Sequence, residues 1–136
     1  MFNQLRTDGA EAEMEFEALS RRVIGLAIEV HRELGPGLLE SAYEQCLVHE
    51  LLENGIRCAA QVPLPIRYKG MRLDCGYRMD IVIEEKLLVE LKSVEMLQKI
   101  HEAQLLTYMK LSRMEVGLLI NFNSTLLKNG IKRLVL

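Results

Sequence analysis

The sequence predicts one α/β domain in which a mixed central sheet is flanked by helices. Three observations carry that expectation. Apolar residues recur at helical spacing from Phe16 to Glu53, the period switches to strand-like alternation after Gly55, and a second helical stretch from Lys99 to Leu111 is followed by an apolar run, Val116 to Asn121. A chain of 136 residues, 49% of them hydrophobic, is about one ordinary domain long and has enough apolar surface for its own core.

Residues 1–15 combine Gly9 with Glu11, Glu13 and Glu15 and show little periodicity, so a loose lead-in is expected there and a single domain over residues 16–136. In the first helix Leu19, Val23, Ile24, Ala27, Val30 and Leu34 mark one face. It stops at Gly35-Pro36-Gly37, where Pro36 disfavours helical geometry at Gly35 and the glycines allow a sharp turn. A second helix is expected from about Leu38 to Glu53, with Leu39, Ala42, Tyr43, Cys46, Leu47, Val48 and Leu51 as its stripe and Asn54-Gly55 as its end. Next, Val62, Leu64, Ile66 and Tyr68 alternate with Pro63, Pro65, Arg67 and Lys69, and two prolines confine such a strand to an edge. After a turn at Lys69-Gly70, a long strand from Met71 puts Leu73, Cys75, Tyr77, Met79, Ile81 and Ile83 on one face and Asp74, Arg78, Asp80 and Val82 on the other. A polar hinge, Glu84-Glu85-Lys86, leads into the strand Leu87 to Lys92 and completes a three-stranded meander. Ile131 to Leu136 adds a last strand after Asn129-Gly130.

Charged residues make up 26% and balance at net −2, which fits neither an acidic tail nor a basic nucleic-acid arm. No apolar run approaches the roughly 20 residues of a membrane span, and the start lacks a signal-peptide pattern, so a soluble, cytoplasmic protein with no membrane partner is expected. Cys46, Cys58 and Cys75 are widely spaced without a CxxC pair, and His31, His49 and His101 form no HExxH. Zinc hydrolysis is therefore disfavoured, and the thiols read as small core or half-buried groups.

The chemistry concentrates in the meander. Glu90 and Lys92 are two apart on a strand, so both leave the same face. A loop centred on Glu85 puts Asp80 directly opposite Glu90, where cross-strand Cβ atoms lie about 5 Å apart and two like charges repel unless a cation sits between them. Hard oxygen donors suit Mg²⁺ or Mn²⁺. An acid and a lysine on a strand are ordinarily a solvated face. Here they lie in a Leu and Val run that should be buried on both faces, where unpaired charge is costly.

Arg78-Met79-Asp80 followed by Val89-Glu90-Leu91-Lys92 resembles the PD-(D/E)xK nuclease core, and Gly37-Leu38-Leu39-Glu40-Ser41-Ala42-Tyr43 resembles the signature of the GxxExxY family within it. Gln104-Leu105-Leu106-Thr107-Tyr108 is similar to the QxxxY motif of exonuclease-type members; Met79 stands where the nominal motif has proline. The resemblance covers Phe16 to the C-terminus and implies a restriction-endonuclease-like core. It makes Glu40 a third carboxylate reaching the metal from the helix side, beyond its suitability at a helix N-terminus. Gln104 and Tyr108, four apart on one helical face with His101 nearby, would line the site and bond phosphate oxygens or Lys92. Tyr43 and His31 read as packing and positioning residues.

The implied function is metal-dependent hydrolysis of a phosphodiester bond in DNA or RNA by a metal-bound water. Glu40, Asp80, Glu90 and the Leu91 carbonyl would hold Mg²⁺ or Mn²⁺, and Lys92 would assist the chemistry. A nuclease-derived binding or assembly module without turnover is the rival, and a small-molecule enzyme using the same site is a third reading. Arg67, Lys69, Arg72, Arg78, Lys99, Lys110 and Arg113 are scattered and aromatic residues are few. Nucleic-acid binding is thus expected to be weak alone, or assisted by a partner protein or second copy.

Overall fold

The computed structural model describes the backbone of residues 2–136 and the side chains of residues 10–136. Helix α1 (Phe2–Leu34) begins well before its apolar stripe. The loose lead-in expected over residues 1–15 is helical from Phe2, because periodicity reports a buried face and residues 10–15 are all exposed. Local preference holds this stretch helical. Glu, Ala and Met are good helix formers, and Glu17 pairs with Arg21 one turn on at 2.9 Å.

Helix α2 (Glu40–Glu53) follows the turn, in which Gly35 and Gly37 take φ of +72° and +97°, values that only glycine adopts without strain. The fully buried Tyr43 closes that turn: its hydroxyl donates to the Gly35 carbonyl at 2.6 Å and accepts from the Leu38 N–H at 3.1 Å. Its ring stacks on Phe122 with centroids 4.5 Å apart. Tyr43, Leu47 and Leu51 form the buried stripe of α2, whereas Leu39, expected on that stripe, is the exposed N-cap residue.

The remaining elements are β1 (Cys58–Pro63), β2 (Ile66–Tyr68), β3 (Met71–Leu73), β4 (Arg78–Ile83), β5 (Leu87–Lys92), helix α3 (Lys99–Ser112), β6 (Val116–Asn121), a short 3₁₀ turn (Leu127–Gly130) and β7 (Ile131–Val135). Five strands form a mixed sheet in the order β1-β4-β5-β6-β7, with β5 and β6 parallel and the other neighbours antiparallel. The two long strands expected from the alternation are each broken. Pro63 and Pro65 interrupt the first and Gly76, at φ +80°, turns the second, so their outer pieces pair as a separate β2–β3 ribbon. As the prolines require, β1 lies at the edge of the sheet.

Helices α1 and α2 cover one face, where Val23, Ala27, Val30, Leu47 and Leu51 pack with Ile81, Ile83, Val89, Leu91, Leu118 and Ile120. Helix α3 covers the other, with Leu105 and Met109 on Val82, Leu88 and Leu119. Met79 joins this second set rather than Ile81 and Ile83, so the expected alternation fails between Met79 and Ile81. Among the described residues, no helix is long and apolar enough to cross a membrane.

Gly117 permits the close seating of α3: a Cβ there would lie 2.7 Å from Met109 Sδ and 3.1 Å from Leu105 Cδ1, both on fully buried side chains. Gly117→Val is expected to cost about 1–3 kcal/mol of stability by overpacking, read as a lower denaturant midpoint with unchanged slope. An unaltered midpoint would show that α3 is not held so tightly.

Candidate active site

The site begins with a hairpin that sets register. Glu84 and Glu85 adopt φ of 52° and 56°, and the Lys86 N–H donates to the Ile83 carbonyl at 2.9 Å. Left-handed geometry is unfavourable for glutamate. It is held by Arg57, whose backbone N–H and Nε donate to the Glu84 carboxylate at 3.1 and 2.9 Å. The Arg57 N–H and guanidinium accordingly keep Glu84 below the usual carboxylate range. The resulting ladder pairs Ile83 with Leu87, Val82 with Leu88 and Ile81 with Val89, the register expected of a loop centred on Glu85.

Past Ile81, β4 leaves β5 while remaining paired with β1 through Met79 and Arg78. In the seam that opens, the Asp80 N–H donates to Glu90 Oε1 at 3.2 Å and the Leu91 N–H donates to Asp80 Oδ2 at 2.8 Å. Two carboxylates thus take the place of backbone acceptors where the strands part. Glu90 is only 5% exposed. Burial, and then the neighbouring charge of Asp80, push its carboxyl from an ordinary 4.5 up to about 9. Glu90 therefore keeps its proton through the neutral range.

Lys92, next along β5, is half-buried and donates from Nζ to Gln104 Oε1 at 3.2 Å. Gln104 Nε2 in turn donates to the Tyr108 hydroxyl at 3.3 Å. Helix α3 therefore lays an amide and a phenol beside the lysine. Burial and then the charge of Glu90 raise the Tyr108 hydroxyl, which places the phenol in the field of the seam. His101 does something else: its Nδ1 accepts the Gln98 N–H at 2.9 Å and caps α3.

Glu40 stands at the N-terminus of α2, and its Oε1 accepts the Ser93 N–H at 3.2 Å. It borders a cleft of about 510 Å³ whose walls also include Glu44, Gln61, Asp80 and Leu91. Glu40 and Asp80 therefore share one cleft, although Glu40 is turned to a backbone N–H. Among the described residues, no three His, Cys, Asp or Glu side chains converge closely enough to hold an ion as they stand. Glu44 and Gln61 were not singled out by sequence. Gln61, at φ 54° between the paired positions Ala60–Ile81 and Val62–Met79, donates from Nε2 to Glu44 Oε1 and to Asp80 Oδ1. Burial, with smaller contributions from the charges of Asp80 and Glu40, raises the Glu44 carboxyl. The spacing of Glu44 from Glu40, one helical turn, was a readable signal; the role of Gln61 required the β1–β4 register.

The model of the PD-(D/E)XK nuclease superfamily matches residues 17–134, and the chain belongs to that superfamily. No curated protein and no solved structure matches it.

The donor set suits a hard divalent cation. Glu90 offers buried carboxyl oxygens and Asp80 half-buried ones, Glu90 holds its proton far above the ordinary range, and Glu44 and Glu40 add negative charge along the cleft. A proton is the lesser substitute for such a charge. With Glu90 raised in the folded chain, the stability it contributes is present below about 4.5 and is lost as pH rises through about 9. Without added metal, wild-type stability should fall across that window relative to Glu90→Gln, whose amide does not titrate. Denaturant titrations at several pH values would show the two slopes; identical slopes would contradict the burial of a charged Glu90.

Proposed function

We propose that the chain is a metal-dependent phosphodiesterase of the GxxExxY type, acting on DNA or RNA, with Asp80, Glu90 and Lys92 at its centre. The observation that carries this reading is the parted β4–β5 seam, which holds a buried carboxyl, Glu90, and a half-buried one, Asp80, against backbone N–H groups with a lysine beside them. A structural ion pair would have brought Lys92 onto Glu90; instead its ammonium rests on the neutral Gln104. That leaves its charge available to an anionic substrate.

Asp80, Glu90, Glu40 and the Leu91 carbonyl would hold Mg²⁺ or Mn²⁺, which when bound supplies Lewis acidity and lowers the pKa of water. Lys92 stabilises charge developing on the phosphoryl oxygens. Gln104 orients that lysine through its carbonyl oxygen and, through its amide, fixes Tyr108. Ser93 positions Glu40: its N–H meets the carboxylate and its hydroxyl donates to the Leu38 carbonyl at 2.7 Å, tying the start of α2 to the end of β5.

A second reading, a nuclease-fold binding or assembly module without turnover, draws on the same Ser93 contact, because a Glu40 committed to a backbone N–H leaves the carboxylates unconverged. Chelator-sensitive cleavage of mixed nucleic acids with Mn²⁺ separates the two. Lys92→Ala should slow cleavage by about 10²-fold or more while sparing metal affinity, the scale of removing one electrostatic contributor. Glu90→Gln should weaken both. If Lys92→Ala, purified free of contaminating nuclease, cleaves at the wild-type rate, the role given to Lys92 is wrong.

A further inference from the structure

The outer face of α3 is unusually apolar beside a site meant for a polyanion. Ile100, Ala103, Thr107 and Leu111 follow one another at helical spacing, and Ile100 is 67% exposed. Together with Ile66 of β2 and Tyr77, this face lines an open pocket of about 270 Å³. Tyr77, 45% exposed, meets Tyr108 edge to face with centroids 6.3 Å apart. Ring stacking from Tyr77 would therefore add to an aromatic pair already built. By the β2–β3 register, Tyr68 shares the apolar side of the ribbon with Ile66. Three of the chain's four tyrosines thus gather at this end of the molecule, with only Tyr43 in the core.

Of the pocket's walls, Gln104 accepts a hydrogen bond from Lys92, and Tyr108 accepts one from Gln104. An occupant of the pocket is consequently one side chain away from the lysine and the carboxylate seam. The lining combines flat apolar walls, aromatic rings and a few hydrogen-bonding groups, Gln104, Thr107 and Tyr108. That combination matches a nucleobase: a π-face to stack, and a polar edge to bond. On the opposite side of the same ribbon Arg67 lies directly across from Arg72, which is paired with Asp74 at 3.3 Å.

We propose that this pocket receives one unpaired nucleobase, so that the protein engages single-stranded or frayed nucleic acid and presents the phosphate attached to that base to Lys92 and the seam. The inference rests on the phosphodiesterase reading for its second half only. A base in a continuous duplex is stacked and paired and must be extruded before its face can lie on the pocket wall, so strand preference follows from the need for an unstacked base.

The test is binding, measured without cleavage. Fluorescence anisotropy with EDTA present would compare a single-stranded oligonucleotide, its duplex, and the same strand carrying abasic positions, using the wild-type chain, Tyr77→Ala and Ile100→Glu. Both substituted residues are exposed, and circular dichroism would verify that each variant is folded. The wild type should bind the intact single strand most tightly. Tyr77→Ala should weaken that binding by about ten-fold, within the range for loss of one stacking partner, and leave duplex binding unchanged. Ile100→Glu should act in the same direction. Equal affinity for the single strand, the duplex and the abasic strand, or single-strand binding indifferent to both substitutions, overturns the proposal even if the protein cleaves nucleic acid. Tyr77-dependent single-strand binding, together with no cleavage of the same strand in a separate assay with Mn²⁺ and no chelator, supports the pocket and sinks the phosphodiesterase reading instead.

Discussion

Two neighbouring strands of one sheet part company at Asp80, and the site is organised around the backbone N–H groups left there. A buried N–H must find an acceptor. At Asp80 and Leu91 the acceptors are carboxylates, from Glu90 and Asp80 respectively. This makes the acids indispensable to the backbone, and it also sets the buried Glu90 carboxyl beside the acidic Asp80 at the wall of the cleft. Glu90 then retains a proton to a pH near 9, a cost that a cation would remove.

Everything adjacent to the seam serves its position. The Glu84-Glu85 turn, stabilised by Arg57, fixes which residues of β4 and β5 face each other, and a slip of one residue would send Glu90 to the opposite face. Parallel pairing with β6 secures β5 from its other side through Lys92 and Asn121. The buried Asn121 then grips the segment after β5: its Oδ1 accepts the Val94 N–H at 3.0 Å and its Nδ2 donates to the Val94 carbonyl at 2.9 Å. On the far side, His31 Nε2 bonds the Ser124 carbonyl at 2.7 Å and Tyr43 stacks on Phe122, tying both helices to the loop after β6. The glycine, glutamate and tyrosine of Gly37 to Tyr43 thus act as one device. Gly37 turns the chain, Tyr43 locks the turn, and Glu40 is delivered to Ser93.

Much of this was legible from residues alone, because periodicity and spacing are direct consequences of burial. The core stripes of α1 and α2, the extents of α3 and β6, the edge position of β1 and the register opposite Glu85 all follow from apolar pattern and turn chemistry. What escaped were features with no periodic signal. The start of α1 is helical without a buried face, and the split of the long strands depended on how Pro63, Pro65 and Gly76 acted together. The parting of β4 from β5 is a break in alternation, visible only in Met79 packing under α3. Gln61 reached Asp80 through a strand register that no nearby loop specified. Glu44 was readable one turn after Glu40, but its relation to Asp80 depends on the same missing register.

Whether the seam's charge receives a cation is tested most directly by thermal denaturation at pH 8 over a Mn²⁺ titration, comparing the wild type with Asp80→Asn. A cation bound only by the folded chain stabilises it by about 2.7 kcal/mol at a hundredfold excess over Kd. The wild-type melting temperature should therefore climb with Mn²⁺, and the Asp80→Asn protein, which keeps an oxygen for the Leu91 N–H but lacks the charge, should remain flat. A wild type indifferent to Mn²⁺, or an equal climb in both proteins, would contradict the account.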